Sequence, residues 1–279
     1  MELLDKFVGY SARPVPLRTV LLRRFLRHFP VGSYKARLHA GGVHRPAYGW
    51  CLYYAALEAQ ALGYRKLTVV ELGVAGGNGL VCLCEHKQNI RKELGIEIEI
   101  VGFDSGTGLP PSTDARDVKY FWPPNAFALD RVELEKRLEC RARLVLGDVA
   151  DTISQWEPEP DAPLGAVMFD LDYYTSTMHA LDLLKKNNVL PRIWCYFDDV
   201  CASPEAALTD RIGEREAIRE FNDMPERKIL RDHLSLAYPF KGVLPEPWHQ
   251  QMYLYHRMSH PKYNENTYQR TKLESLSLH

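Results

Sequence analysis

The sequence predicts an α/β fold: a doubly wound, mostly parallel sheet of seven strands with a helical extension in front of it. From Leu67 onward, short apolar runs rich in β-branched residues alternate with helical segments. A strand, a glycine-rich turn and a helix follow one another between Val69 and Leu80, and two further strand-like segments come late in the chain. Alternation of this kind is typical of a parallel sheet with helices on both faces.

The elements divide into a helical N-terminal extension or lid (1–63), a Rossmann-like domain (64–260) and a polar tail (261–279). In the extension, apolar residues between Leu17 and Phe29 have helical spacing, and a second helix is predicted from Pro46 to Leu62, before Gly63. The predicted strands are Leu67–Leu72, Ile96–Phe103, Ala142–Leu146, Ala166–Phe169, Ile193–Phe197, Ile229–Tyr238 and Gln251–Met258. The predicted helices among them are Leu80–Lys92, Thr175–Lys186 and Ser203 to about Phe221.

Composition narrows the class of protein. The 279 residues are 46% hydrophobic and 25% charged, which is ordinary for a globular chain, and the net charge of -1 predicts no nucleic-acid partner. No apolar run approaches the roughly 20 residues that span a bilayer, and the N-terminal residues have no secretory pattern, so we expect a cytoplasmic protein without a membrane partner. The six cysteines form no C-x-x-C pair and favour reduced, buried thiols over a zinc site.

The N-terminal helix is strongly basic. Seven basic residues and no acidic residue lie between Arg13 and Arg37. An apolar helix face flanked by arginines favours packing on its own domain or on a second copy of the chain, and we expect a homodimer. Binding to a membrane surface or to an anionic partner is the alternative.

The first strand ends at a carboxylate, Glu71, and the turn after it contains four glycines: Gly73, Gly76, Gly77 and Gly79. Such a turn brings backbone close to a nucleotide-like ligand, although a close strand–helix turn without a ligand needs glycine too. Further strands also end at acidic residues, namely Asp104, Asp148, Asp170, Asp198 and Asp199. Because parallel strands share one carboxyl edge, these side chains are expected to converge on one crevice.

A carboxylate at Asp104 can accept hydrogen bonds from ribose hydroxyls, whether of NAD or of S-adenosylmethionine. The turn has the pattern E-x-G-x-A-G-G-x-G, and an acidic residue two positions before the first glycine is more typical of S-adenosylmethionine sites. Asp198 follows Asp170 by 28 residues, so the two are predicted to end neighbouring strands, with Asp199 beside them. Oxygen ligands without histidine or cysteine favour Mg²⁺. Alternatively, Asp172 and Asp199 cap helices or bind backbone amides, and no metal is bound.

The segments GFDSGTGLP, FDLDYYTSTMHALDLL and the strand ending in FDD resemble the macrocin O-methyltransferase family. The resemblance covers roughly Val69 to Val200 and implies a class I S-adenosylmethionine-dependent methyltransferase fold that methylates a hydroxyl of a sugar or natural-product intermediate with Mg²⁺. It implies that Asp170 is the general base. It further implies cofactor binding by Glu71, Gly73, Ala75, Gly77, Asp104, Ser105, Asp148 and Val149, and metal binding by Asp170, Asp198 and Asp199.

Three other functions are weighed against this one. An NAD-dependent oxidoreductase and a non-catalytic cofactor-binding homologue both remain open. An iron hydroxylase is disfavoured because no histidine forms a His-x-Asp or His-x-Glu pair.

Overall fold

The computed structural model describes residues 16–138, 142–201, 209–224, 227–232 and 246–265. Its centre is a single seven-stranded sheet. The strands are β1 (Lys66–Leu72), β2 (Glu97–Asp104), β3 (Arg143–Leu146), β4 (Leu164–Phe169), β5 (Val189–Phe197), β6 (Arg227–Arg231) and β7 (Met252–Arg257). They are arranged in the order β3-β2-β1-β4-β5-β7-β6. Strands β1 to β5 are parallel, and β7 is antiparallel to both β5 and β6. The predicted fold class is therefore confirmed.

Eight α-helices surround the sheet in the described part of the chain. They are α1 (Leu17–His28), α2 (Tyr34–His39), α3 (Pro46–Ala61), α4 (Asn78–Leu94), α5 (Arg131–Leu138), α6 (Val149–Gln155), α7 (Tyr174–Ala180) and α8 (Gly213–Phe221). None of them is both long and apolar enough to cross a bilayer.

The central strands β1 and β4 are buried on both faces, in keeping with their mostly apolar sequences. Neighbouring residues such as Val69 and Val70 belong to two separate cores, because side chains alternate across a strand. Helices α3 and α4 cover the first core, whereas α7 and α8 cover the second. The sheet is thus doubly wound, and its carboxyl edge stays open for a site.

Helix α3 lies against the sheet with nearly all of its residues buried. Helix α1 differs, because none of its residues is buried. The expectation that the apolar face of α1 packs on its own domain is wrong for the described residues. The side that does contact the domain carries Arg23, which donates a hydrogen bond to the Ala40 carbonyl oxygen at 3.0 Å, and Leu26, which packs on Gly42. The boundaries at residues 63 and 260 stay predictions.

Several elements differ from the predicted bounds. The helix predicted over Thr175–Lys186 is α7 followed by a 3₁₀ turn, Leu181–Lys185. The helix predicted from Ser203 is wrong over residues 209–212, because α8 begins only at Gly213; residues 202–208 lie outside the described part. The second half of the predicted strand Ile229–Tyr238 also lies outside it. Helices α2, α5 and α6 were missed because six to eight residues show too little periodicity.

Candidate active site

A cavity of about 500 Å³ opens at the carboxyl edge of the sheet. It lies where the strand order reverses between β1 and β4, the position at which doubly wound sheets bind ligands. All eleven site residues predicted from the sequence line this cavity. They are Glu71, Gly73, Ala75, Gly77, Asp104, Ser105, Asp148, Val149, Asp170, Asp198 and Asp199. Their convergence follows from strand direction alone, although their individual roles stay predictions.

The glycine turn after β1 is shaped by close packing at three of its four glycines. A Cβ atom on Gly73 would lie 1.7 Å from the backbone oxygen of Asp170, and one on Gly79 would lie 1.8 Å from Glu71 Oε1. Gly77 has a φ of +75°, and its Cβ would meet Leu134. Only at Gly76 would an added Cβ meet no described atom within 4 Å. Close packing therefore accounts for three of the glycines, whereas the approach of a ligand to the open space at Gly76 stays a prediction.

Glu71 is a buried carboxyl group at the end of β1. Its Oε1 accepts a hydrogen bond from the Tyr48 hydroxyl at 3.0 Å, while its Oε2 is buried with no hydrogen-bond partner among the described residues. Burial raises the pKa of Glu71 to about 8, and the hydrogen bond from Tyr48 opposes the shift only in part. A buried carboxylate oxygen without a partner costs free energy, so this atom is suited to a cationic ligand group.

This shift predicts a pH-dependent stability in the ligand-free protein. The folded pKa of about 8 lies above the ordinary value of 4.5, so stability present below pH 4.5 is lost as the pH rises towards 8. Relative to Glu71→Gln, the wild-type free energy of unfolding should fall by about 2–3 kcal/mol between about pH 5.5 and pH 7.5. Urea denaturation of both proteins at the two pH values measures this difference. A constant difference would contradict the raised pKa.

Asp104 ends β2 and fastens the glycine turn. Its Oδ2 accepts hydrogen bonds from the backbone amides of Val74 and Ala75, both at 2.9 Å, and its Oδ1 accepts one from Gly106 at 2.7 Å. Because each carboxylate oxygen has two lone pairs, Oδ1 keeps capacity for one ligand hydroxyl. Ser105 is turned towards its own loop, where its hydroxyl donates to the Gly108 carbonyl oxygen at 2.7 Å. Asp104 thus has a structural role that the sequence did not reveal.

Asp148 caps α6, and Val149 is the first residue of that helix. The Asp148 side chain is exposed and accepts a hydrogen bond from the Ala150 amide at 2.8 Å. Both residues lie beside the end of β3 and line the cavity. In the sheet, β2 and β1 separate β3 from β4 and β5, where the acidic residues lie. This cap accounts for one carboxylate oxygen and leaves the other available to the cavity.

Three carboxylates come together where β4 and β5 end. Oxygen atoms of Asp170, Asp198 and Asp199 all lie within 4.8 Å of one another. Burial, with the neighbouring charges of Asp198 and Asp199, raises the pKa of Asp170 well above its usual range. Burial also raises the pKa of Asp199, and the charges of Asp172 and Asp198 add to the shift. The cluster therefore holds like charges that repel one another unless protons or a cation neutralise them.

Two further carboxylates border the cluster. Burial raises the pKa of Asp172 to about 7, and the charges of Asp170 and Asp198 add to this shift. The backbone of Asp172 is left-handed (φ +60°). Its amide donates a hydrogen bond to Asp199 Oδ2 at 3.1 Å. The alternative in which Asp199 binds a backbone amide is thus partly correct, since one of its oxygens does so. Glu214, on α8, accepts a hydrogen bond from the Asp199 amide at 2.9 Å, and its Oε1 is buried without a partner among the described residues.

Three residues that the sequence did not single out support the site. The Tyr196 hydroxyl donates to Asp198 Oδ1 at 2.5 Å, and the Gln251 amide donates to the Asp198 carbonyl oxygen at 2.7 Å. Tyr196 was detectable, because residues two apart on a strand share a face. Arg45 lines the same cavity and lowers the pKa of both Glu71 and Asp170. Nothing local marks Arg45 or Glu214, since only the folded chain brings them to the sheet edge.

The strand order and the geometry of this cavity define a Rossmann-like α/β fold with an acidic cluster beside its glycine turn. No protein-family model matches the sequence, and a search of curated proteins also returns no match. Among solved structures, the chain is similar to the calicheamicin methyltransferase CalS11, with a TM-score of 0.52 and 20% identity over 89% of this chain and 94% of that one. It is similar to the O-methyltransferase NovP, with a TM-score of 0.52 and 15% identity over 86% and 98%.

At these identities the comparisons show a shared fold. The narrower resemblance to the macrocin O-methyltransferase family stays a prediction.

Proposed function

We propose that the protein is an S-adenosylmethionine-dependent O-methyltransferase that acts on a hydroxyl of a small molecule, a sugar or a natural-product intermediate, with Mg²⁺. The observation that carries the proposal is the convergence of residues from five strand ends on one cavity. The similar structures CalS11 and NovP are themselves named as a methyltransferase and an O-methyltransferase. That similarity supports the proposal through the fold that the chain shares with them.

The residues present fit S-adenosylmethionine. The unpartnered Glu71 Oε2 suits its cationic ammonium group, and the open space beside Gly76 admits a ligand against the turn. Asp104 Oδ1 has capacity for one ribose hydroxyl. Asp148 and Val149, at the end of β3, would lie beside the adenine.

The acidic cluster fits a hard divalent cation. Asp170, Asp198 and Asp199 would hold Mg²⁺, because their oxygens lie close together and two of the three have raised pKa values that a cation would relieve. When bound, the cofactor supplies an activated methyl group and the metal lowers the pKa of a coordinated hydroxyl.

The chain's own residues then position the acceptor and move its proton. Asp170 would be the general base, because its carboxylate lines the cavity beside Asp198 and Asp199, where a coordinated hydroxyl would be held. The hydrogen bond from Tyr196 holds the Asp198 carboxylate in place. Trp122 and Phe127 line the cavity and would provide apolar surface for the acceptor to pack on.

Turnover with labelled S-adenosylmethionine tests this function. The protein is incubated with Mg²⁺ and a panel of hydroxylated sugars and natural-product intermediates, and transfer of the methyl label is followed by mass spectrometry. We expect a methyl ether to form on at least one acceptor. We expect no methyl ether to form when the protein has been treated with EDTA. Oxidation of an acceptor with NAD would instead support the oxidoreductase, and tight cofactor binding without turnover on any acceptor would support the non-catalytic homologue.

Self-association through α1 is a separate part of the proposal. Five large apolar side chains face outwards on or next to this helix: Leu17, Leu21, Leu22, Phe25 and Phe29, each 49–67% exposed. A contiguous apolar face of this kind marks an interaction surface, and a second copy of the chain can cover it symmetrically. No acidic residue occurs from 16 to 57, so a symmetric contact would bring arginines of both copies together.

This contact predicts an association with an unusual salt dependence. Dimerisation should strengthen between about 50 and about 500 mM NaCl, because salt screens the repulsion between arginines while the apolar contact persists. Leu21→Gln with Phe25→Gln should weaken it about 100-fold or more, whereas Val132→Gln, an exposed apolar residue on α5, should not. Sedimentation velocity measures both effects. A monomer under all conditions would contradict the proposal, and salt-sensitive binding to anionic vesicles would favour a membrane surface.

A further inference from the structure

Arg45 carries a positive charge at the wall of an otherwise acidic cavity. It is exposed at the cavity wall, and its guanidinium lies 5.1 Å from the centre of the Tyr48 ring. Among the described residues it forms no ion pair, although it is close enough to Glu71 and Asp170 to lower the pKa of both. Its charge is therefore available to a ligand.

The backbone at Arg45 is held in an uncommon conformation. With φ +37° and ψ 68° it lies in the left-handed region, immediately before Pro46, and its carbonyl oxygen accepts hydrogen bonds from the amides of Tyr48 and Gly49 at the start of α3. A non-glycine residue in this region carries strain, and such strain is concentrated at ligand sites. The conformation fixes the point from which the guanidinium reaches the cavity.

Glu71 supplies the opposite charge at the same end of the cavity. Tyr48 links the two residues, because its hydroxyl donates to Glu71 Oε1 while its ring lies under the Arg45 guanidinium. The remaining oxygen of Glu71, Oε2, is buried and has no partner among the described residues. Within the described part of the chain, one end of the cavity thus presents a carboxylate oxygen without a hydrogen-bond partner and a guanidinium without an ion pair.

We infer that Arg45 and Glu71 form a zwitterion subsite, in which Glu71 Oε2 binds the α-ammonium and Arg45 the α-carboxylate of the cofactor's amino-acid end. This inference rests on the proposed function, since it requires S-adenosylmethionine or its product. Arginine is suited to the task because its planar guanidinium matches a carboxylate in two parallel hydrogen bonds. The subsite explains why Arg45, the one basic side chain among the described lining residues, borders a cavity whose other described charges are negative.

The test compares S-adenosylhomocysteine with its analogue that lacks the α-carboxylate, by calorimetric titration of the full chain. The wild type should bind the complete ligand roughly 10- to 100-fold more tightly than the analogue, the range for a hydrogen bond between charged groups. In Arg45→Gln this preference should shrink to about twofold or less, because only the affinity for the complete ligand falls. Arg45→Lys should keep part of the preference.

The controls separate this inference from folding and from the proposed function. Arg45→Asn removes the guanidinium with a residue that tolerates the left-handed backbone, and it should behave like Arg45→Gln. Arg24→Gln, on exposed α1, should keep the wild-type preference. If Arg45→Gln and Arg45→Asn both fold and both keep the wild-type preference for the complete ligand, the subsite is wrong and the proposed function stands. A wild type that binds neither ligand would overturn the proposed function and the subsite with it.

Discussion

Asp198→Asn is expected to reduce methyl transfer about 1,000-fold while leaving the affinity for S-adenosylhomocysteine within a few-fold of wild type. The variant removes one of the three clustered carboxylates that would bind the cation. A bound cation stabilises the transition state by several kcal/mol, and each 1.4 kcal/mol changes the rate about tenfold. Cofactor affinity should persist because Asp198 lies at the end of β5, two strands from the glycine turn. Initial rates and calorimetric titration measure the two quantities.

Stability gives this prediction a second readout. The charge of Asp198 contributes to the raised pKa values of Asp170 and Asp199, so its removal should leave the metal-free protein as stable as wild type or more so. Asp182→Asn is the matched control, since Asp182 is exposed and paired with Lys185 at 2.5 Å, away from the cavity. Undiminished turnover in Asp198→Asn, or activity that survives EDTA, would exclude the metal and leave Asp170 to act alone as base.

Gly73→Ala is expected to lower the free energy of unfolding by about 3–5 kcal/mol, from left-handed strain together with overpacking. The added Cβ would lie 1.7 Å from the backbone oxygen of Asp170. That oxygen has little room to move, because two hydrogen bonds hold the backbone on either side of the contact. The Asp170 amide donates to the Leu72 carbonyl oxygen at 3.0 Å, and the Gly73 amide donates to the Phe103 carbonyl oxygen at 2.9 Å. The ends of β1 and β4 would have to separate.

Gly63→Ala isolates the contribution of the backbone angle. Gly63 has φ +83°, nearly the same as the +82° of Gly73, but its Cβ would meet no described atom within 4 Å. We therefore expect Gly63→Ala to cost only about 1–2 kcal/mol. Urea denaturation of both variants gives the comparison. Equal losses would show that contact with Asp170 contributes nothing to the requirement for glycine at position 73.

Strand direction made much of the site predictable. Glu71, Asp104, Asp170 and Asp198 end consecutive parallel strands, and a parallel sheet places all such ends on one edge. The neighbouring positions of β4 and β5 followed from their order in the chain. Hydrophobic runs and acidic strand ends are local signals, so the sequence carried them directly.

Side-chain partners and distant contributors were not predictable in the same way. Asp104 was assigned to a ribose, but three backbone amides already bind it, and backbone amides leave no trace in a sequence pattern. Arg45 lines the cavity from the start of α3, and Glu214 contacts the Asp199 amide from the start of α8, so tertiary packing alone brings both to the sheet edge. The helix start predicted at Ser203 and Pro204 lies outside the described residues and stays a prediction, while the described helix α8 begins at Gly213.

Periodicity also identified the apolar face of α1 without showing what covers it. Spacing determines which side chains share a face of a helix, but not which way that face turns. In the structure, Arg23 and Leu26 contact the domain, whereas Leu21 and Phe25 face outwards. If the apolar face packed on its own domain, Leu21 and Phe25 would face inwards. The homodimer, the cytoplasmic location and the domain boundaries remain predictions.

A crystal structure with S-adenosylhomocysteine and Mg²⁺ tests the central claim most directly. We expect the homocysteine end beside Glu71 and Gly76, a ribose hydroxyl on Asp104, adenine near Asp148, and a cation about 2.1 Å from oxygens of Asp170, Asp198 and Asp199. A cavity that takes NAD in place of S-adenosylhomocysteine, or three aspartates that stay apart without a cation at saturating Mg²⁺, would contradict it.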